Sequence, residues 1–223
     1  MSFGGRLFSD DYSKAQANTP GTAKALGIPA QMTLGARIAP LPGESNLGGF
    51  LAGKVGMICG GSWDTSAFRA VAESKFEFDV AMLPCGLPGK RVVSATGGAW
   101  AMSSQTKHPE AAWRLIKWLV TPEAQRALIV KPVRSLPPRQ SLLREWAEQI
   151  ARAGMPRNAI IFGEQVVKWG RSAPPLAFQW APVITQYLVP LAGGQISPEE
   201  AALRIENQLN VEFDKFRKAT RGK

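Results

Sequence analysis

Apolar positions recur along this chain at two spacings, and each predicts a different kind of element. Ala112, Trp113, Ile116, Leu119 and Val120 fall three or four residues apart behind His108-Pro109-Glu110. Proline suits the first helical position and an acid suits the positive first turn, so the pattern predicts an amphipathic helix. Thr121-Pro122-Glu123 repeats the start signal and predicts a second helix. Beyond the stiff run Arg134-Ser135-Leu136-Pro137-Pro138, the stripe Leu142, Leu143, Trp146 and Ile150 predicts another. A helix is expected over 183–191, closed by Gly193-Gly194. The strongest signal comes last, with Ser197, Pro198 and Glu200 forming a capping box before Ala202, Ile205, Leu209, Phe213 and Phe216.

The second spacing is continuous rather than periodic. Short apolar runs at 55–59 and 78–83 have strand length, and each is closed by a turn signal, Gly60-Gly61-Ser62 or Pro84-Cys85-Gly86. Two more strands are expected at 91–95 and 99–102, split by Gly97-Gly98. Strands joined by long helical segments predict an α/β protein. Residues 1–49 are rich in Gly, Pro and small polar side chains and read as a surface segment with one short helix around 22–26, order beginning at Phe50. No repeat of 20–50 residues recurs, which excludes solenoids and propellers.

Composition narrows the class. The 223 residues are 45% hydrophobic and 20% charged, which excludes disorder and fibrous architecture. No apolar run reaches the roughly 18 residues that span a bilayer. Twenty-seven Lys and Arg against 17 Asp and Glu leave a charge of +10, but the excess is spread along the chain and reads as a solvated face, with no nucleic acid expected. Cys59 and Cys85 form no CxxC pair and His108 is the one histidine, so no metal site is expected. Each thiol reads as a small buried hydrophobe, with a disulfide between them left open.

Catalytic constellations are missing. Gly48 to Lys54 has the spacing of a phosphate-binding loop, but Val55 stands where a magnesium-binding hydroxyl is needed, and the glycines run toward a strand instead of opening a helix. His108 before Pro109 reads as a helix-start residue, and the pairs Glu199-Glu200 and Asp10-Asp11 are explained by a helix start and a polar loop. No enzyme activity and no cofactor are expected. Seven tryptophans remain. Trp113 and Trp146 lie on helix stripes and read as core. Trp63, after Gly60-Gly61-Ser62, and Trp180, after a Pro-rich loop, stand where element ends could face a cleft. There a flat indole would offer an apolar face to a sugar ring, the ordinary core role being the alternative.

A series of landmarks bears on that choice. Phe50-Leu51-Ala52-Gly53-Lys54-Val55-Gly56-Met57, Gly61-Ser62-Trp63, Phe78-Asp79-Val80-Ala81-Met82-Leu83-Pro84 and Pro88-Gly89 are followed by Gly97-Gly98-Ala99-Trp100-Ala101-Met102-Ser103 and Lys107-His108-Pro109-Glu110-Ala111-Ala112-Trp113. Thr121-Pro122-Glu123-Ala124-Gln125, Leu136-Pro137-Pro138-Arg139 and Gly194-Gln195-Ile196-Ser197-Pro198-Glu199-Glu200-Ala201 complete it. In content and order the series resembles the family 1 extracellular solute-binding proteins of ABC importers, the maltose-binding-protein-like group. The resemblance spans nearly the whole chain and corresponds to the C-terminal half, or slightly more, of a full-length member. An export signal and most of a first lobe are therefore expected to lie outside this sequence.

The resemblance implies an α/β, type 2 periplasmic-binding-protein-like fold of two lobes joined by crossing strands, the first lobe incomplete here. Residues 1–78 would belong to the second lobe, 79–84 to a hinge strand, 85–135 to a returning piece of the first lobe and 136–223 to the remainder of the second. It implies a receptor that captures a carbohydrate or related polar solute and hands it to ABC permease membrane subunits. Such a receptor is monomeric when complete and periplasmic, or extracellular and membrane-associated. The matching ligand positions are Trp63 and Trp180 for stacking, Gly97 and Gly98 for close backbone approach, and Asp64 and Gln179 as hydrogen-bonding neighbours. The competing reading is a truncated relic without transport function, or a basic scaffold for polyanions.

Overall fold

Helices form where the start signals stand. The computed structural model describes residues 2–41, 46–72, 76–154, 156–172 and 177–220. In chain order the elements are α1 (Pro20–Ala30), α2 (Asn46–Leu51), α3 (Thr65–Ala72), β1 (Val93–Ala95), α4 (Pro109–Leu119), α5 (Pro122–Gln125), α6 (Leu143–Arg152), α7 (Ile160–Trp169), β2 (Gly170–Ser172), α8 (Ala177–Thr185), α9 (Leu188–Ala192) and α10 (Pro198–Thr220). Two compact units are present, Met1–Ser45 with Pro84–Val92 and Ser172–Lys223, and Asn46–Leu83 with Val93–Arg171. These bounds describe packing; the lobe limits implied by the resemblance are a separate division of the chain.

The first unit is built on α10. Ser197 Oγ accepts the Glu200 amide at 3.1 Å, so the capping signal operates as expected. The helix then buries Ala201, Ala202, Ile205, Leu209 and Phe213 along one stripe. Phe8, Ala15, Ala17, Trp180 and Val183 complete that core. The N-terminal residues are thus not the surface segment the composition suggested. Ala15 and Ala17 are small enough to lie in the core beside α10, and α10 side chains satisfy nearby backbone donors: Ala15 N–H bonds Asn210 Oδ1 at 2.9 Å and Asn18 N–H bonds Glu206 Oε2 at 2.7 Å. Glycine matters where the segment meets α1, because a Cβ on Gly21 would stand 2.5 Å from the Gly5 amide nitrogen. Over 183–191 the single expected helix is two, α8 and α9. Pro190 has no N–H for the Gln186 carbonyl, and its ring crowds that carbonyl, so one helix cannot run through.

In the second unit α6 carries the core, with Trp146 and Ile150 fully buried among Val130, Val133, Leu142 and Ala159. Beside α2 and α3, the Phe50 ring meets those of Phe68, Phe76 and Phe78 edge-on, with centroids 5.6, 5.3 and 5.8 Å away. Such packing suits the ring quadrupoles. Of the four expected strands, only 91–95 contains one, β1, which pairs with β2 in a two-stranded sheet. The runs 55–59, 78–83 and 99–102 are not strands. A strand needs a neighbour for its ladder, and the 78–83 run instead bonds elsewhere: Leu83 N–H to Gln165 Oε1 at 2.6 Å, and Asp79 Oδ1 from Asn158 N–H at 2.8 Å.

Three further expectations are corrected. α4 forms with Pro109 at its start, but none of its residues is buried, and Trp113 is 49% exposed rather than core. Cys59 and Cys85 are exposed free thiols, because neither lies on an element that packs against a core. The glycine run 48–54 enters no strand: it forms α2 and its closing turn, with the amides of Ala52, Gly53 and Lys54 bonded to the carbonyls of Gly48, Phe50 and Gly49. Those amides are used within the turn and do not form a phosphate cradle.

Candidate functional site

The sequence Gly61-Ser62-Trp63-Asp64-Thr65 dictates a tight turn with its own caps. Ser62–Asp64 form one turn of 3-10 helix, and the Asp64 carboxylate accepts the Gly61 amide at 3.1 Å while the Asp64 amide returns to the Gly61 carbonyl at 3.0 Å. Thr65 follows, wholly buried at 0% exposure. Its hydroxyl lies within donating distance of two carbonyls, Ser62 at 2.7 Å and Arg134 at 3.1 Å. Ser62 Oγ accepts the Leu136 amide at 3.0 Å. The turn is thereby tied to the distant 134–136 segment, and Ser62 and Leu136 both belong to the landmark series.

Trp63 projects from this braced turn and is 62% exposed. A rigid backbone behind an exposed indole makes a platform that loses little conformational freedom when something stacks on it. Its neighbour Asp64 is half-buried and engaged with the Gly61 amide. Gly97 and Gly98 are exposed in the same unit, and a Cβ at either would meet open space. Neither adopts the left-handed backbone that favours glycine. Bare backbone bordering open space leaves room for a ligand to approach the main chain.

The remaining sequence candidates lie in the other unit. Trp180 is 3% exposed, its ring centroid 4.8 Å from that of Phe8 and 4.6 Å from that of Phe213. The indole is a core side chain here, with no face open to a solute. Tertiary packing decides this: α8 turns Trp180 toward α10, where Phe213 and Leu209 complete its surroundings. The Gln179 side chain lies outside the described residues. Sequence reasoning missed Thr65, Ser62 and the 134–136 backbone as the parts that hold Trp63. A Ser and a Thr flanking the Trp-Asp pair were the available signal, since both residue types bond local backbone.

The Asp11 carboxyl is lowered to about 2, first by the Ser9 hydroxyl and then by the Ser13 amide and hydroxyl. That loop is in the first unit and closes on itself. Among the described residues no group of His, Cys, Asp and Glu could hold a metal ion. None of the described helices is long and apolar enough to cross a membrane.

Residues 1–154 match the family of bacterial extracellular solute-binding proteins. The chain belongs to this family. No curated protein sequence matches it. Among solved structures, the solute-binding chain superposes on an ABC substrate-binding protein from Listeria monocytogenes in complex with cycloalternan, at TM-score 0.76 and 17% identity over 96% of this chain and 54% of that one. It also superposes on the cyclic alpha-maltosyl-1,6-maltose binding protein of Arthrobacter globiformis, at TM-score 0.72 and 22% identity, covering 96% and 54%. The maltose-maltodextrin binding protein of Alicyclobacillus acidocaldarius gives TM-score 0.69 and 22% identity, covering 93% and 57%. At these identities the likeness is one of fold. The α/β, type 2 periplasmic-binding-protein-like class expected of the sequence is therefore that of this chain, which is itself mostly helical. The chain spans little more than half the length of these structures.

Proposed function

We propose that this solute-binding family member captures a carbohydrate or related polar solute outside the cytoplasmic membrane and delivers it to the permease of an ABC importer. The observation that carries the reading is Trp63, a largely exposed indole on a turn held by hydrogen bonds that the Thr65 hydroxyl donates and Ser62 Oγ accepts. The indole face takes the C–H side of a sugar ring by burial and dispersion. Hydroxyls of the same ring turn toward the backbone at Gly97 and Gly98 and toward Asp64. Closure of the two lobes by hinge motion would then shield the solute from water. Capture needs no bond making, so binding and release alone account for the role. The periplasm, or the outer face of the membrane in a tethered protein, is the compartment this reading assigns.

Calorimetry with maltose, cycloalternan, cyclic maltosyl-maltose and a glycerophosphodiester tests it. At least one is expected to bind, with an affinity that falls about tenfold in Trp63→Ala, corresponding to about 1.4 kcal/mol of lost stacking. Heat from none of them would sink the reading. Binding of a polyanion that collapses steeply with added salt would favour the basic-scaffold alternative.

A further inference from the structure

The geometry points to Gly61 as a positioning residue that seats the Trp63 indole, an inference that rests on the stacking role proposed for Trp63. Gly61 has φ −115° and ψ 169°, extended backbone that any residue adopts, so the main chain does not require glycine here. The position caps the turn, where Ser, Asp or Asn would serve better than glycine. What a side chain would meet is the indole itself. A Cβ on Gly61 would fall inside the envelope of Trp63 Cη2, Cζ2 and Cε2. The benzo edge of the ring thus lies against the bare Gly61 backbone, while the residue as a whole remains 62% exposed.

The consequence is a platform with a set orientation. One edge is backed by main chain, and the backing is itself held, because the Gly61 amide is bonded to Asp64 and the turn is bonded to Arg134 and Leu136. An alanine at 61 leaves the backbone free to keep its course, since the colliding atoms belong to an exposed side chain that can swing away. The ring then loses its seat. Gly61 therefore acts on solute through Trp63 alone, and its replacement separates binding from stability. Binding weakens, whereas the fold holds or gains, because alanine in an allowed conformation restricts the unfolded chain.

The test uses the full 223-residue chain with Gly61→Ala, Gly61→Ser, Trp63→Phe, Trp63→Ala and the double variant Gly61→Ala/Trp63→Ala. Acrylamide quenching of tryptophan emission, with Trp63→Phe subtracted, isolates the share due to residue 63 without any ligand. That share is expected to rise in both Gly61 variants while the melting temperature stays level or increases. Unchanged quenching overturns the inference, as does a melting temperature that falls by several degrees. With maltose as probe, Gly61→Ala is expected to weaken affinity three- to tenfold, and the double variant to match Trp63→Ala, as residues acting through one another do. Additive losses in the double variant overturn the inference. A Trp63→Ala chain that binds maltose as well as the parent overturns the stacking role instead, and a parent chain that binds no maltose leaves the quenching comparison to decide Gly61.

Discussion

Replacing Trp180 by alanine separates a core tryptophan from a cleft tryptophan more sharply than any other single change. The indole is 3% exposed and lies 4.8 and 4.6 Å, centroid to centroid, from Phe8 and Phe213. Burying about 200 Å² of aromatic surface is worth about 5 kcal/mol at roughly 25 cal/mol per Å². Denatured chains already bury part of that surface, so the figure is a ceiling. Large-to-small replacement of core aromatics removes about 3–5 kcal/mol, and about 4 kcal/mol is the expected loss here. Domains of this kind hold about 5–15 kcal/mol in total, so the loss is a large fraction of the stability. Trp180→Phe, which keeps a ring beside Phe213, should lose about 1–2 kcal/mol. Urea unfolding followed by far-ultraviolet circular dichroism measures both. Trp63→Ala is the counterpart on the same scale, an exposed indole whose loss should change stability by less than about 0.5 kcal/mol. A Trp180→Ala chain that lost under about 1 kcal/mol, with weakened sugar binding, would refute the core assignment and return Trp180 to the cleft.

Other expectations follow from single observations. Thr65→Val removes a wholly buried hydroxyl within reach of the Ser62 and Arg134 carbonyls, and should lower stability by about 1–2 kcal/mol in urea unfolding while weakening sugar binding through the loosened Trp63 turn. Asp11 has its carboxyl pKa lowered to about 2 by Ser9 and Ser13, so its contribution is present above the ordinary carboxylate range and disappears as pH falls from about 4 to about 2. Asp11→Asn should therefore melt below the parent at pH 7 and together with it at pH 2. Cys59 and Cys85 are both exposed and free, so a chromogenic disulfide reagent should titrate two fast thiols per native chain, and slow release of either would contradict their placement.

Local chemistry in the sequence was enough for the helix starts. Thr121-Pro122 and Ser197-Pro198 each begin a helix because a capping oxygen, a fixed proline φ and the positive helix end act within a few residues of one another, and His108-Pro109 begins one on its proline and the acid Glu110 with no side-chain cap. The ordered landmarks determined the family as well, since their types and spacings are properties of the chain alone. Trp63 stood out for the same reason, following small residues at a turn. Exposure and pairing could not be read this way. Strands at 55–59, 78–83 and 99–102 were expected from apolar runs, but a ladder needs a partner strand brought from elsewhere, and among the described residues only β1 and β2 pair as strands. Trp113 and Trp146 carry the same helical signature, yet α6 meets a core and α4 buries nothing. Trp63 and Trp180 looked alike in sequence and end at 62% and 3% exposure. Burial is decided by what lies across from a side chain: Phe213 of α10, brought to Trp180 by the tertiary fold, buries that indole, whereas Trp63 meets the bare Gly61 backbone of its own turn and stays exposed.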